Sequence, residues 1–342
     1  MKLSRRSFLY SSMALPALAR ERFETIPEDL KTPYKTNRLV IAPSKEPGTF
    51  DELGADGPFV FREADKFYMT YIGFDGQGYQ TGLASSSNLL DWKKEGVIIR
   101  RDPGNPISRY NVAMTWILRE NGVFSSGALK KVDGRYLGIY HAYPKPGYEE
   151  GPAVIGLCWS PDFKTWELEK PFLRPENGQP WEQGGLYKAC ILEFNGTYYV
   201  FYNAKTRGAH WREQTGYVTS PDLKTWRRFA GNPVIRNGPK GSVDEIFASD
   251  PCVLQYADGW ALFYYSLDAK FVARDLLALS PDLRRVTKCR GVLIDVGPKG
   301  SVDSRFAHKP SVFFREGVLY HFYCAVSEEF GRGISVATSK PF

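Results

Sequence analysis

The sequence predicts an all-β fold, and more narrowly a five-bladed β-propeller built from four-stranded antiparallel blades. The first observation is a repeated phrase: the chain has SPDFKTW from residue 160, SPDLKTW from 220 and SPDLRRV from 280. A weaker copy, SSNLLDW, starts at residue 86, and ATSKPF ends the chain where a fifth copy is due. The second is composition, because aromatic residues make up 15% of the chain and favour strands. Regular self-similarity of this kind is typical of propellers and other repeat folds.

Each repeat also carries an aromatic-rich strand next to a turn signal. The five copies are EADKFYMTYI, VDGRYLGIYH, FNGTYYVFYN, ADGWALFYYS and REGVLYHFYC. Asp-Gly and Asn-Gly between alternating apolar runs indicate two-residue hairpins. Each unit is therefore expected to contain three long strands, then the Ser-Pro-Asp turn and a short outer strand. The turn Asp is expected to accept hydrogen bonds from the next backbone N–H groups. A β-sandwich is the alternative, but it does not predict five similar units.

These repeats predict one propeller domain over residues 37–342. The expected blades are 50–100, 124–175, 182–236, 244–295 and 303–342. The last copy is short of a fourth strand, and the strand-like run NRLVIAP at 37–43 is expected to complete it and close the ring. Residues 20–36 show no core pattern and are expected to form an extended lead-in.

Residues 1–19 have the features of an export signal. Ser4-Arg5-Arg6-Ser7-Phe8-Leu9 is similar to a twin-arginine signal, and Ala17-Leu18-Ala19 is a small-residue cleavage pattern. An ordinary basic start is the alternative. No other stretch approaches the ~20 apolar residues that span a bilayer. We therefore expect a bacterial protein that is periplasmic or secreted, without membrane attachment after signal cleavage, and monomeric.

Charge and cysteine content narrow the class further. The net charge is +7, but no basic run of five or more residues marks a nucleic-acid partner. The five cysteines are odd in number and show no CxxC spacing. We expect buried thiols rather than a disulfide framework or a metal site.

A second repeated phrase points to the candidate site. GPKGSVDEIFASDP ends at Pro251 and GPKGSVDSRFAHKP ends at Pro310, so Asp250 in one copy is replaced by Lys309 in the other. The innermost strands of a propeller surround a channel, and their first residues face one mouth of it. Aligning those strand starts brings together five positions, which are Asp56, Ser126, Lys188, Asp250 and Lys309.

With these features the sequence resembles the five-bladed glycoside hydrolase superfamily, which includes families 43, 62, 32, 68, 117 and 130. The resemblance covers about 290 residues and rests on blade number, the S-x-D-x-x-x-W turns and Asp56. It implies that Asp56 acts as general base or nucleophile and that Asp250 is the general acid. Two carboxylates facing each other across a channel meet the needs of glycoside cleavage, and their separation decides between inversion and retention.

The lysines depart from the usual pattern of that superfamily, in which the third blade often supplies another acid. Two explanations stay open: Lys188 and Lys309 pair with carboxylates and tune their pKa, or they bind an anionic group such as a uronate or phosphate. If Asp250 only positions the substrate, Glu182 or Glu245 is the next choice for the acid. Further sugar-binding candidates, chosen for aromatic or polar side chains in suitable loops, are Arg109, Trp116, His141, Arg207, His210, Trp211 and His308.

The predicted function is that of an exported glycoside hydrolase, arabinofuranosidase- or xylosidase-like, acting on plant or microbial oligosaccharides or polysaccharides. A phosphorylase of the family 130 type and a non-catalytic carbohydrate-binding propeller are the alternatives. No cofactor is expected, because four histidines without ligand spacing do not indicate a metal site, although a central calcium beside His308 is left open.

Overall fold

The computed structural model describes residues 24–342, so the predicted export signal at 1–19 lies outside the described residues. This part of the chain is all-β, as predicted, with two short 3₁₀ turns at Glu28–Leu30 and Pro175–Asn177. No helix in residues 24–342 has the length and apolarity needed to cross a membrane.

The strands fall into groups whose members follow one another in the chain. The first group is β2 (Gly54–Glu63), β3 (Lys66–Phe74), β4 (Tyr79–Ser86) and β5 (Lys93–Ile99). The second is β6 (Ala113–Ile117), β7 (Lys131–Val132), β8 (Arg135–Ala142), β9 (Val154–Ser160) and β10 (Glu167–Leu168). The third is β11 (Gly185–Phe194), β12 (Thr197–Lys205), β13 (Glu213–Ser220) and β14 (Arg227–Arg228). The fourth is β15 (Phe247–Tyr256), β16 (Gly259–Leu267), β17 (Ala273–Ser280) and β18 (Thr287–Lys288). The fifth is β19 (Phe306–Arg315), β20 (Val318–Ser327) and β21 (Gly331–Thr338), joined by β1 (Tyr34–Lys35).

Pairing is antiparallel inside each group and parallel between neighbouring groups. Single parallel pairs join β13 to β15, β17 to β19 and β21 to β2, so groups three, four, five and one form one continuous sheet. The second group forms a separate five-stranded sheet. The hairpins are the predicted ones: Asp133-Gly134 and Asn195-Gly196 both have positive φ at the two turn residues, as a type I′ turn requires.

The Ser-Pro-Asp turns also form as predicted. Asp162 Oδ1 accepts hydrogen bonds from the backbone N–H groups of Lys164 and Thr165 at 2.9 and 2.7 Å. Asp222 Oδ1 makes the equivalent pair of bonds at the same distances. These bonds satisfy backbone donors where the chain turns into the short outer strand.

Three boundary predictions need correction. The second group begins at Ala113, not at residue 124, because Ala113–Ile117 pairs with β8 while Ser126 lies in the following loop. The lead-in contributes to the core, since Ile26 and Leu30 are buried in the largest apolar cluster. The strand expected over 37–43 is displaced: β1, which lies in the predicted lead-in, pairs with β21, and the 37–43 segment contributes a separate bridge between Ile41 and Ile334.

All five cysteine side chains are buried, as expected. They lie within an interior that is mostly aromatic and aliphatic, and their burial agrees with the role of small apolar side chains.

An acid–tyrosine–cation contact recurs in four of the groups. In each, a buried carboxylate accepts a hydrogen bond from a tyrosine O–H and forms an ion pair with a lysine or arginine. The sets are Asp51 with Tyr71 and Lys94, Glu182 with Tyr202 and Arg228, Asp244 with Tyr264 and Lys288, and Asp303 with Tyr323 and Lys35. In the first, third and fourth groups the cation comes from the outer strand. In the fifth group it comes from β1, at the other end of the chain.

The contact in the fifth group allows a test of whether β1 stabilises the fold, because its cation is Lys35. Lys35 Nζ lies 2.6 Å from the Asp303 Oδ2, whose side chain is 2% exposed. Lys35→Met leaves that buried carboxylate without its cation, and we expect the free energy of unfolding to fall by about 1–3 kcal/mol, less than for a fully buried pair because Lys35 is itself partly exposed. Urea denaturation measures the change. Lys31→Met, which removes an exposed cation nearby, is the matched control. Equal stability of the two variants would contradict a structural role for β1.

Candidate active site

A β-bulge interrupts the first strand of every group. In β2, β11, β15 and β19 two residues face a single residue of the next strand, and in β6 the pairing skips one. The first bulge residues are Gly57, Lys188, Asp250 and Lys309, all in left-handed backbone with φ of 54°, 47°, 50° and 66°. Bulges next to active sites commonly redirect side chains, and here three charged side chains sit at equivalent bulges.

The bulges also correct the alignment of the first strands. Lys188, Asp250 and Lys309 occupy equivalent positions, as the repeats predict. Asp56 lies one residue earlier, before Gly57, and is therefore the counterpart of His308 rather than of Lys309. The five strand starts are thus not a single ring of equivalent positions.

A cavity of about 180 Å³ lies where these bulges converge, and we call it the central cavity. It contains six of the predicted site residues, which are Asp56, His141, Lys188, Asp250, His308 and Lys309. Its other lining residues are Ile72, Tyr79, Tyr148, Glu149, Tyr187, Glu213, Phe247, Tyr265, Phe306 and Arg332. Four carboxylates and three cations therefore share a small, largely aromatic space.

Asp56 is held by donors on both of its oxygens. Its Oδ1 accepts the backbone N–H of Gly57 at 2.7 Å. Its Oδ2 accepts from Lys309 at 2.7 Å, Arg332 at 3.0 Å and the Tyr148 O–H at 3.3 Å. Burial alone would raise the pKa of Asp56, but the two cations hold it well below its usual value. Asp56 is thus a fixed anion at the centre of an ion cluster.

Lys309 belongs to the same cluster. Burial acts to lower its pKa, but Asp56, Tyr148 and Glu149 raise it well above the usual value. Its Nζ also lies 3.8 Å from Glu149 Oε1. The first of the two open explanations therefore fits the geometry of Lys309, because its charge is balanced by carboxylates of the protein.

Asp250 and Lys188 act on each other electrostatically, although no ion pair within 4.0 Å joins them among the described residues. Burial raises the pKa of Asp250 to about 7, although the charges of Lys309 and Lys188 oppose that shift. Burial lowers the pKa of Lys188, and the Asp250 carboxylate opposes the change. Asp250 can therefore hold or release a proton close to neutral pH.

Both cavity histidines are neutral at ordinary pH. Burial, then Lys188 and Lys309, lower the pKa of His141 to about 3, and its Nδ1 accepts the backbone N–H of Lys188 at 3.4 Å. Burial and Lys309 also hold the pKa of His308 well below its usual value, and its Nδ1 lies 3.1 Å from the Cys324 carbonyl oxygen, which only an N–H can bond. Each contact fixes the ring orientation.

Glu213 is a cavity carboxylate that the sequence analysis did not single out. It begins β13, is 3% exposed and accepts hydrogen bonds from Tyr187, from Trp211 Nε1 at 3.1 Å and from Asn203 Nδ2 at 3.1 Å. Burial, then the charge of Glu149, raise its pKa, and the hydrogen bond from Tyr187 opposes the shift. A signal was present in the sequence: Glu213-Gln-Thr-Gly matches Tyr79-Gln-Thr-Gly in the first group, with a carboxylate in place of tyrosine.

Glu149 is the fourth cavity carboxylate, and it was also missed. It lies in the loop between β8 and β9, where no repeat offers a comparison. Its side chain is 27% exposed, and its Oε1 accepts a hydrogen bond from the Tyr79 O–H at 3.2 Å. Glu149 and Tyr148 line the central cavity and also a wider neighbouring groove, so they mark the junction of the two spaces.

That groove, which we call the side groove, has a volume of about 620 Å³. It contains two of the predicted sugar-binding residues, Arg207 and Trp211. The remaining lining residues are Glu150, Gly151, Pro152, Gln183, Gly184, Lys205, Thr206 and Gly208. His210 is exposed in the same loop but lines neither space, so its predicted role in sugar binding is not supported.

Two predicted alternatives for the acid are wrong in position. Glu182 is completely buried and belongs to the recurring acid–tyrosine–cation contact, with Arg228 Nε at 2.9 Å and the Tyr202 O–H at 2.7 Å. Glu245 lies in the loop before β15, where its Oε2 accepts the backbone N–H of Gly241 at 2.7 Å. Neither carboxylate lines the central cavity.

Two predicted sugar contacts are likewise misplaced. Trp116 is 4% exposed and packs in the core against Phe59, with the Arg119 guanidinium 5.3 Å from its ring. Arg109 is exposed and bonds the Pro103 carbonyl at 3.2 Å, away from the cavity. Among residues 24–342 no group of three or more His, Cys, Asp or Glu side chains is arranged to hold a metal ion.

Part of the chain is similar in sequence to a known family and to a curated protein. Residues 126–278 match the glycosyl hydrolases family 32 N-terminal domain, a propeller domain. A curated 1,2-beta-oligomannan phosphorylase from Thermoanaerobacter sp. (strain X514) is 26% identical over 125 residues, which are 36% of this chain and 33% of that protein. The chain therefore matches about a third of the length of that curated relative.

Two solved structures are similar over nearly the whole chain. One, a complex of BT0996 with RGII, is 33% identical with a TM-score of 0.81 and covers 92% of this chain and 94% of its own. Another, named Glycoside hydrolase, is 31% identical with a TM-score of 0.83 and covers 96% of this chain and 97% of its own. Identity at this level over almost all of both chains shows that this protein belongs to the glycoside hydrolases, with a propeller fold.

Proposed function

We propose that this chain is an exported, exo-acting glycoside hydrolase that removes one terminal sugar, of the arabinofuranosidase or xylosidase type, from an oligosaccharide or polysaccharide. The observation that carries the proposal is a small central cavity with four carboxylates that meets a wider groove at Glu149. The cavity suits one sugar ring and the groove suits the part of the substrate that leaves. A relative solved in complex with RGII supports an oligosaccharide substrate. Export is inferred from residues 1–19 alone.

We also propose that the five strand groups are the blades of one closed ring, with β1 completing the fifth. The parallel pairs between groups, the bulge shared by every first strand and the ion pair from Lys35 to Asp303 support this arrangement. A ring places the first strands of all five groups around one axis, which accounts for the convergence of Lys188, Asp250 and Lys309 on one cavity.

Within the cavity we assign Glu149 as the proton donor and Glu213 as the nucleophile or base. The acid must protonate the oxygen that joins the terminal sugar to the leaving part, and Glu149 is the cavity carboxylate that lines both spaces. Glu213 is buried and held by three donors, which orient it toward the sugar. The charge of Glu149 contributes to the raised pKa of Glu213, so the two carboxyls are close enough to influence each other.

The pair Asp56 and Asp250 remains the alternative assignment. Asp250 suits a proton donor because its pKa lies near 7. Asp56 suits a nucleophile or base less well than Glu213, since two cations, Lys309 and Arg332, pair with its Oδ2 and hold its pKa well below the usual value. The three donors to Glu213 are neutral side chains. We therefore give Asp56 the role of anchoring the cavity cations and Asp250 that of holding a sugar hydroxyl.

Phosphorolysis is the second candidate function, because the curated relative is a 1,2-beta-oligomannan phosphorylase. Phosphate is an anion and needs cations that the protein has not already neutralised. Two of the three cations of the central cavity, Lys309 and Arg332, are paired with Asp56, which favours water as the acceptor there. A screen of aryl glycosides with and without phosphate decides: we expect free sugar at the same rate in both, whereas sugar phosphate as the product would establish phosphorolysis. Release of no sugar from any aryl glycoside or oligosaccharide would overturn the proposed hydrolysis.

The assignment of Glu149 and Glu213 predicts different dependence on the leaving group. Glu149→Gln should lower kcat by about 10²–10⁴-fold on an oligosaccharide, which needs protonation, but less than about tenfold on a dinitrophenyl glycoside, which does not. Glu213→Gln should lower kcat by at least about 10²-fold on both substrates. Steady-state kinetics on the two substrates measure this, with Glu245→Gln as the control. If Asp250→Asn shows the pattern expected of Glu149→Gln, the alternative pair is correct.

The pKa of Asp250 predicts a pH-dependent effect on stability. Its pKa is about 7 in the folded protein and about 4 in an unfolded chain, so its protonation stabilises the fold below pH ~4 and this contribution is lost between pH ~4 and ~7. Because asparagine does not titrate, the Asp250→Asn variant does not lose stability through this group as the pH rises. We therefore expect the melting temperature of Asp250→Asn, relative to the wild type, to rise as the pH increases from about 4 to about 8. A constant difference across that range would show that Asp250 does not titrate as stated.

A further inference from the structure

Two of the three cations of the central cavity are balanced by the protein itself. Lys309 and Arg332 lie 2.7 and 3.0 Å from Asp56, and Lys309 lies 3.8 Å from Glu149. Lys188 has no carboxylate oxygen within 4.0 Å among the described residues, and Asp250 is the carboxyl group that acts on it most strongly. An anionic sugar in this space would meet four carboxylates, so the cavity favours a neutral ring.

The cations of the side groove are not balanced in this way. Among the described residues, no carboxylate oxygen lies within 4.0 Å of Lys205 Nζ or of the Arg207 guanidinium; every ion pair found at that distance involves other cations. Arg207 Nε instead bonds the Gln183 carbonyl at 3.1 Å, and Lys205 Nζ lies 3.4 Å from the Glu149 carbonyl oxygen. Glu150 is an exposed lining residue of the groove and pairs with neither. The charge of Lys205 acts on the buried Glu213, but without an ion pair. Two positive groups are therefore available to a ligand.

An aromatic surface adjoins these charges. Lys205 Nζ lies 5.0 Å from the centre of the Trp211 ring, whose residue is 38% exposed. The indole N–H of Trp211 bonds Glu213 at 3.1 Å, which fixes the ring at the edge of the central cavity. An exposed, oriented aromatic face beside hydrogen-bonding groups is typical of a sugar-binding site. The combination fits a sugar ring that bears a negative group.

We infer that the side groove binds an anionic sugar, either a uronate or a sulfated sugar, on the leaving side of the bond that is cut. This inference rests on the proposed function, since it assigns the central cavity to the neutral terminal sugar. It places the anion site, which the sequence left open as one of two explanations for Lys188 and Lys309, at Lys205 and Arg207 instead. The enzyme would thus select a neutral sugar linked to an acidic one.

Calorimetric binding to the whole chain tests this inference without requiring turnover. The probes are trigalacturonate against its methyl ester, and a sulfated galactose disaccharide against its unsulfated form. We expect at least one acidic probe to bind at least about tenfold more tightly than its neutral partner at low ionic strength, and the preference to shrink in about 0.5 M NaCl. Whichever acidic probe is preferred identifies the anionic group. If neither is preferred, the inference is wrong, whatever the hydrolytic activity of the protein.

Substitutions locate the site. Lys205→Met and Arg207→Met should each reduce the acid preference severalfold, and the double variant should abolish it. Lys240→Met removes one exposed positive charge outside the groove and is the matched control. Equal loss of preference in the control and the groove variants would show a general charge effect and would overturn the assignment. Failure of hydrolysis alone would instead overturn the proposed function.

Discussion

The bulge in each first strand is the constraint on which the site depends. The bulge interrupts the regular hydrogen-bonded pairing of the strands. At Lys188, Asp250 and Lys309 it also places a non-glycine residue in left-handed backbone, which destabilises the fold by about 1–2 kcal/mol per residue. The long antiparallel ladders on either side, buried in the core, hold the backbone in this form. In return, three equivalent strands present charged side chains to one cavity. The equivalent bulge residue in β2 is Gly57, and the carboxylate of Asp56, just before it, supplies the counter-charge.

Buried ion pairs serve two purposes in this molecule, and the two kinds differ in whether they recur in several strand groups or occur once. The acid–tyrosine–cation contacts recur in four strand groups and lie away from the cavity, so they stabilise the packing that those groups have in common. The cluster of Asp56, Lys309 and Arg332 occurs once and joins β2, β19 and β21 around the cavity. Glu182 belongs to the first kind and Asp56 to the second, a distinction that residue type alone does not reveal.

The features that recur in several strand groups could be predicted from the sequence, whereas many features that occur once could not. The all-β class, the hairpins and the Ser-Pro-Asp turns follow from residue patterns, and comparing two copies of one phrase located Asp250 and Lys309 in the cavity. The one-residue offset of Asp56 could have been found in the same way, because Pro58 aligns with Pro251 and Pro310 and places Gly57, not Asp56, opposite Asp250 and Lys309. Glu213 could have been found by the same comparison, against Tyr79. Glu149 could not, because its loop has no counterpart in the other groups and its position depends on tertiary contacts.

Those contacts also affect how mutations at Asp56 should be interpreted. The loop that carries Glu149 is tied to the cavity by Tyr148, whose O–H bonds Asp56 Oδ2 at 3.3 Å and whose ring lies 5.3 Å from the Arg332 guanidinium. Removing the Asp56 carboxylate therefore frees two cations and releases the neighbour of the assigned proton donor. A large loss of activity on changing Asp56 does not by itself show that Asp56 touches the sugar, because the same loss follows if Asp56 only positions Glu149. The dependence on leaving group separates the two roles: a positioning residue reproduces the pattern of the acid, whereas a nucleophile or base lowers turnover of every substrate.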